Sequence, residues 1–447
     1  MANRGCYALR RLVLMAGMTL PAASAEAADG LDLSGTMRFR YEAIANQARA
    51  GFRRNDDLVN LRTTLLARYT DGPLTLATEL WDSRVYGQKA DTILSTGEVN
   101  TFEFVQAYAR YAQPLDGGGS LAVKAGRFLL NIGSRRLIAA DDYRNTTNGY
   151  TGLEAVVDTP GLSATLIYVL PQQRRPDDAA SIRARKVVVD EEGFDQQVWG
   201  GTVLRNKAFG DFALEASFYH LGERDTRQRS TRDRSLDTFG GRLMRAPHAG
   251  QADLEIEAFR QIGHISATTA PTAARLPVSA YFAHIDTGYT FKGAWQTRLS
   301  IEYDRASGDG SSRQYGRFDT LFGQRRADFA PGGLYNTIAR SNVSTPGIRI
   351  EVTPSRRLDA LATYHALWLA NRRDAFSASG VRDASGRAGN FAGHQLDGRL
   401  RYWLKPGRLR FEADAVLLAK GRFLEEAPNA PPAGTTLYGS VNLTADF

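Results

Sequence analysis

The chain has 447 residues, room for two or three soluble domains or one large barrel, and 43% of them are hydrophobic. Lys and Arg number 56 and Asp and Glu 48, so the formal charge is 56 − 48 = +8; seven of the cations are lysine, leaving 56 − 7 = 49 arginines. Past the N-terminus no run approaches the ~18–20 apolar residues of a spanning helix, which excludes a helical membrane protein but not a barrel, whose strands alternate apolar and polar residues.

Residues 1–25 read as a secretory leader. Arg4, Arg10 and Arg11 give a positive start, Leu12–Leu20 a short apolar run, and Ala23-Ser24-Ala25 an A-x-A cleavage site. The one cysteine, Cys6, falls before the apolar run, so the expected mature chain has neither a disulfide nor a lipid-bearing cysteine. Residues 26–447 read as a single barrel domain.

The dominant signal is period-two alternation in segments of about ten residues, the pattern of a transmembrane β-barrel. Leu31, Leu33, Met37, Phe39 and Tyr41 fall on one face, against Arg38, Arg40 and Glu42 on the other. The spacing predicts eighteen strands, at 31–43, 57–70, 73–85, 101–113, 119–128, 150–159, 161–170, 196–207, 211–221, 236–245, 250–262, 278–291, 294–305, 343–353, 356–369, 394–405, 407–418 and 435–447. Short turns such as Asp71-Gly72, Pro160-Gly161, Lys292-Gly293 and Pro406-Gly407 alternate with long links. Short periplasmic turns and long outer loops are the outer-membrane arrangement, and an even strand count lets an antiparallel barrel close without exposed edges. An all-β barrel in the outer membrane of a Gram-negative bacterium follows, surrounded by lipid and lipopolysaccharide and expected to be a monomer. The last strand ends on Phe447, the kind of terminus read by the barrel-assembly machinery.

On this parity Arg38, Arg40, Arg62, Arg68, Arg298, Arg349, Arg399, Arg401 and Arg410 line the lumen, interleaved with carboxylates such as Glu42, Glu255, Glu257, Glu302 and Asp414. Such a wall either sets selectivity or neutralises itself in cross-strand ion pairs. Two long links carry more arginine: 129–149 has Arg135, Arg136 and Arg144, and 306–342 has Arg313, Arg317, Arg325, Arg326 and Arg340. Either link adds positive charge to a constriction if it folds inward, and is a solvated loop if it does not. Gln172–Glu192 is charged and poor in apolar residues, and reads as a mobile loop. Arg127 presents a conflict, because it shares parity with Leu121, Val123 and Ala125. Either a bulge near Gly126 turns it inward or it sits above the hydrocarbon band.

Other chemistries leave little trace. Gly117-Gly118-Gly119 lacks the lysine of a phosphate loop. The six histidines are scattered, Asp141, Asp142 and Asn145 lack an EF-hand pattern, and no metal or cofactor is expected. Ser217 and His220 offer a serine–histidine pair without a nucleophile elbow, and no catalytic residue is assigned. Nucleic acid is not an expected partner of an exported barrel, despite the positive charge.

Two stretches carry a family resemblance. In GRFLLNIGSRRLIAADDYRNTTNGYTGLEA (126–155), Gly126-Arg127, Gly133-Ser134 with Arg136, Arg144-Asn145 and Gly152 recur in order; EYDRASGDG (302–310) is followed by FDTLFGQRRADF (318–329), Asn336, Arg340 and Asn342. Both blocks resemble signatures of the alginate export family of outer-membrane porins, with Thr146 and Thr147 standing where that pattern has an arginine. The resemblance implies an eighteen-stranded barrel that passes an anionic polyuronate through an arginine-lined constriction, with Arg127, Arg136, Arg144, Arg340 and neighbouring Asn145 in that role. It implies a channel, not an enzyme. Residue chemistry alone leaves three readings open: a channel for anionic saccharides, a general porin for small anionic nutrients, and a non-conducting structural or adhesive barrel.

Overall fold

The structure, a computed structural model, describes residues 29–447 apart from 142, 311–312 and 325–327. The expected leader with Cys6, and Asp142, Arg325 and Arg326, lie outside the described residues.

The alternating segments form strands β1 (Gly30–Ala45), β2 (Asp56–Asp71), β3 (Leu74–Tyr86), β4 (Asn100–Leu115), β5 (Gly119–Phe128) and β6 (Tyr150–Thr159). Then come β7 (Leu162–Pro171), β8 (Gln196–Phe209), β9 (Phe212–Glu223), β10 (Ser235–Arg245), β11 (Gln251–Ser266) and β12 (Arg275–Thr290). The last six are β13 (Arg298–Ala306), β14 (Val343–Ser355), β15 (Leu358–Trp368), β16 (Phe391–Lys405), β17 (Leu409–Lys420) and β18 (Thr436–Asp446). Each pairs antiparallel with its sequence neighbours, and β1 pairs with β18 from Thr36↔Asp446 to Ala45↔Leu437, so the eighteen-stranded sheet closes on itself. Closure leaves no strand with unpaired N–H and C=O groups facing lipid. Beyond the strand end, Phe447 exchanges two backbone hydrogen bonds with Gly35, at 2.8 and 3.0 Å.

Strand boundaries follow the alternation to within three residues, with two departures of four: β11 runs on to Ser266, past the expected 262, and β13 starts late. β13 starts at Arg298 and not at 294, because the turn after Lys292 is longer than two residues: Gln296 N–H donates to the Gly293 carbonyl and Gln296 has φ +44°. Two one-turn helices, α1 (Ala179–Arg183) and α2 (Arg422–Glu426), lie in links that the strand pattern left unstructured.

The outward face is apolar, with Leu33, Phe39, Leu166, Ile301, Leu400 and Val441 all exposed. Tyr86, Phe102, Tyr168 and Trp199 are exposed near the long-loop end, and Tyr69, Tyr111, Tyr289 and Trp295 near the short-turn end. These are the two aromatic levels expected at bilayer interfaces. Gly126 and Gly152 face each other across β5 and β6 with φ +122° and +156°; a Cβ on either would collide with a neighbouring strand's carbonyl, so glycine is required there.

The inner face is not an open tube. Links 129–149 and 306–342 fold inward and share an apolar core with the upper barrel wall: Ile132, Leu137 and Ile138 from the first, Phe318, Phe329 and Ile338 from the second. Phe376 and Val381 from the link before β16, and Phe423 and Leu424 of α2, join them. Each such side chain contributes roughly 1.5–3 kcal/mol on full burial, so the loops are anchored by packing as well as by polar contacts. Backbone bonds stitch them together, Ala139 N–H to Phe322 O at 3.1 Å and Phe322 N–H to Leu137 O at 2.9 Å.

Arginine placed on the outward face tests this orientation. Leu166→Arg, mid-strand in β7, is expected to cost about 2–4 kcal/mol in lipid-vesicle unfolding titrations, and Leu162→Arg at the strand end at most about 1 kcal/mol. Equal losses at the two positions would contradict the assigned bilayer position.

Candidate solute pathway

Three lumenal arginines hold the first inward loop. Arg38 donates to the Tyr143 carbonyl at 3.1 Å and the Arg144 carbonyl at 2.7 Å, Arg40 to Tyr143 O at 2.7 Å, and Arg62 to Arg144 O at 3.1 Å. Asn145 completes the seat. Its amide donates to the carbonyls of Glu98 (2.9 Å), Arg84 (3.1 Å) and Leu61 (3.4 Å), and Ser83 Oγ donates to its carbonyl at 2.6 Å. A buried backbone turn needs partners for its carbonyls, and the arginines of β1 and β2 supply them.

A second node joins the two inward loops. Arg136 grips Asp328 with two parallel bonds of 2.9 and 2.7 Å and also reaches Glu255 (2.5 Å) and Glu257 (2.6 Å) on β11. Arg340 contacts the same Asp328 through Nε at 2.9 Å and through Nη2, and donates to the Gln324 carbonyl. Burial opposes ionisation of Asp328, but the flanking guanidinium groups of Arg136 and Arg340 outweigh it and hold the carboxyl well below the usual range. Burial likewise opposes the charge on Arg136, and Asp328, Glu255 and Glu257 together drive its pKa well above the ordinary value. Arg136 and Arg340 are therefore brought together, with their charges already matched by carboxylates.

Arg144 faces elsewhere. With Arg174 it lines a polar cavity of about 280 Å³ between the inward loops, the link before β4 and the link after β7, walled also by Thr320, Gly323 and Asn336. Arg144 pairs with Asp141 at 2.9 Å and donates to Asn148 Oδ1 at 2.5 Å. Arg174 donates to Thr147 O at 2.8 Å and Asn148 Oδ1 at 3.0 Å, and among the described residues no carboxylate forms an ion pair with it. Burial first, and then the like charge of Arg144, push the Arg174 pKa down to about 10. An anion in the cavity would relieve both.

Arg127 keeps the outward parity, since β5 runs in unbroken register with β4 and β6 from Ser120 to Arg127. Its guanidinium turns to the rim, pairing with Glu103 at 2.7 Å and Glu192 at 2.5 Å, apart from the cavity. The wall arginines are interleaved with acids: Arg298 with Asp253, Asp286 and Glu351, Arg349 with Glu302, and both Arg399 and Arg401 with Asp359. Arg410 lies 5.5 Å from the Trp403 ring, and Arg68 sits half-exposed near the short-turn end, 4.0 Å from Asp32. Ser217 and His220 alternate to opposite faces of β9, and His220 pairs with Asp237 at 2.7 Å.

The sequence reading did not single out Arg174, because charge and low apolar content made 172–192 look mobile. Instead the segment is seated over the rim. Ile182 packs on Leu58 and Val85, and Asp190 is buried against Asn100 (2.9 Å), where burial and the Glu103 charge push its carboxyl up to about 7. The available signal was the Arg174-Arg175 pair, which begins three residues past the end of β7.

Comparison with known proteins agrees with the architecture. The family model described as alginate export matches residues 29–432. Among solved structures the chain is similar to a BenF-like porin from Pseudomonas fluorescens Pf-5 (10% identity, TM-score 0.60, covering 93% of this chain and 98% of that one). It is also similar to Pseudomonas aeruginosa OccK2 (OpdF) in complex with glucuronate (12%, 0.58, 95% and 99%) and to P. aeruginosa OccD3 (OpdP) (15%, 0.54, 94% and 91%). At these identities the likeness shows the fold alone. No curated protein matches.

Asp328→Asn strands the buried Arg340 without its carboxylate and is expected to cost about 3–5 kcal/mol of loop seating. In the unaltered protein this contribution is fully present above the ordinary aspartate value of about 3.9 and is lost as pH falls from there through the depressed pKa. Limited proteolysis checks both statements. Cleavage within 306–342 should rise below about pH 4 in the native protein and already at pH 7 in the variant; full protection of the variant at pH 7 would remove Asp328 from this role.

Proposed function

The chain belongs to the alginate export family, and from that premise we propose that it is an outer-membrane channel through which anionic saccharides of the uronate class pass by diffusion, guided by Arg144 and Arg174. Family and barrel make it a channel of the Gram-negative outer membrane. The observation that carries the finer reading is Arg174: a half-buried guanidinium, with no carboxylate ion pair among the described residues, bordering a polar cavity beside a second arginine.

The chemistry is non-covalent. A passing carboxylate accepts hydrogen bonds from a planar guanidinium, whose fork matches its two oxygens. Sugar hydroxyls find Asn148, Asn336 and Thr320 on the same walls. Two unit charges 4 Å apart attract by about 4 kcal/mol at an effective dielectric of 20, enough to favour entry. Asp141 and Glu98 compete for the same cations, which keeps each encounter weak enough for the solute to leave, as conduction requires. The Arg136–Asp328–Arg340 node does not take part directly; it fixes the loops that frame the cavity.

Planar-bilayer recording tests the proposal. Oligouronate added to one side is expected to produce transient current blocks, weakened at least tenfold in Arg144→Ala/Arg174→Ala, with neutral oligosaccharides of equal length blocking little. Anion current indifferent to oligouronate would make the protein a general porin for small anions, and absence of any conductance would make it a structural barrel.

A further inference from the structure

The polar cavity has a neighbour. A smaller one, of about 70 Å³, lies beside it, bordered by Arg49 and Phe52 from the β1–β2 link, Ile93 and Leu334. The two share Ser95, Glu98, Gly333 and Asn336 as a common wall, so they adjoin. In the smaller one the Arg49 guanidinium stacks 3.5 Å from the Phe52 ring centroid. Its buried Nε has no hydrogen-bond partner, and on the shared wall the buried Oδ1 of Asn336 has none either. The Glu98 carboxylate between the cavities is turned onto Ser95, accepting from its N–H at 2.9 Å and its hydroxyl at 2.7 Å. Arg53, at the edge of the smaller cavity, is already paired with Asp91 and lies 3.9 Å from Asp56 on the same wall.

Three arginines, Arg49, Arg144 and Arg174, thus line the joined cavities, and among the described residues neither Arg49 nor Arg174 forms an ion pair with a carboxylate. The groups open to a ligand are a cation beside an aromatic ring in one cavity and, in the next, two cations of which only Arg144 has a paired carboxylate, with an amide oxygen at the join. That is the chemistry of two consecutive charged sugars: a carboxylate for each arginine site and hydroxyl groups to donate to the Asn336 oxygen. We propose that the cavities are consecutive subsites for neighbouring uronate residues of one saccharide chain, the first holding a carboxylate on Arg49 and the second on Arg144 and Arg174.

This rests on the uronate-channel reading and adds to it a requirement for chain length. Binding through two linked subsites exceeds binding through one, because the second contact is made without a second loss of translational freedom. The experiment compares block of the full-length channel by glucuronate and by dimannuronate in planar bilayers. The expected result is a dissociation constant for the dimer at least tenfold below that of the monomer. Arg49→Ala should cost the dimer that tenfold advantage while weakening monomer block much less. Asn336→Ala, read in the same way, serves if Arg49→Ala fails to assemble. Equal block by monomer and dimer, or a dimer advantage untouched by either variant, overturns the two-subsite proposal while leaving the channel reading in place. If block by both sugars survives Arg144→Ala/Arg174→Ala, it is the placing of the uronate pathway at Arg144 and Arg174 that falls.

Discussion

The structure depends on what buried arginines do for backbone. A loop turned into a barrel carries main-chain carbonyls away from water, and each unpaired one is costly. Arg38, Arg40 and Arg62 remove that cost at Tyr143 and Arg144, and the same contacts provide partners for three guanidinium groups inside the wall. Once 129–149 is seated, Arg136 meets Asp328 and the second loop closes against the first. The cavity flanked by Arg144 and Arg174 is the space these two decisions leave. Its position therefore depends on side chains of β1, β2 and β11 that do not line it.

Most of the barrel was legible in the sequence because period-two alternation reports directly on a sheet with lipid on one face. Where alternation was interrupted, the reading slipped: Gln296 extended the turn before β13, and α1 and α2 lie in segments whose apolar residues are too few to show a period. The inward loops were legible only as alternatives. Nothing local to Arg136 says that its partner is Asp328, 192 residues away, and a loop arginine looks the same whether it meets water or a carboxylate. Arg127 shows the converse. Its parity with Val123 and Ala125 left two alternatives, a bulge that turns it inward or a place above the hydrocarbon band, and β5 keeps an unbroken register through it.

The wall arginines counted without their interleaved carboxylates would make this lumen an anion channel, and pairing changes that inference. Arg136, Arg298, Arg340, Arg349, Arg399 and Arg401 each have carboxylate partners, so they stiffen the wall and its loops more than they attract solute. Selectivity, in this account, belongs to the few cations whose charge is incompletely matched. Those cations come from links between strands: Arg49 after β1, Arg144 after β5 and Arg174 after β7. The wall can stay nearly neutral, and stable, while the loops set what passes.

The most direct test of the central claim is a structure of the protein with a bound oligomannuronate. A sugar carboxylate is expected at charge-assisted hydrogen-bond distance, about 2.7–2.9 Å, from the Arg174 guanidinium and beside Arg144. Sugar bound elsewhere in the lumen, with the cavity empty and Arg174 still joined only to Thr147 and Asn148, would contradict it.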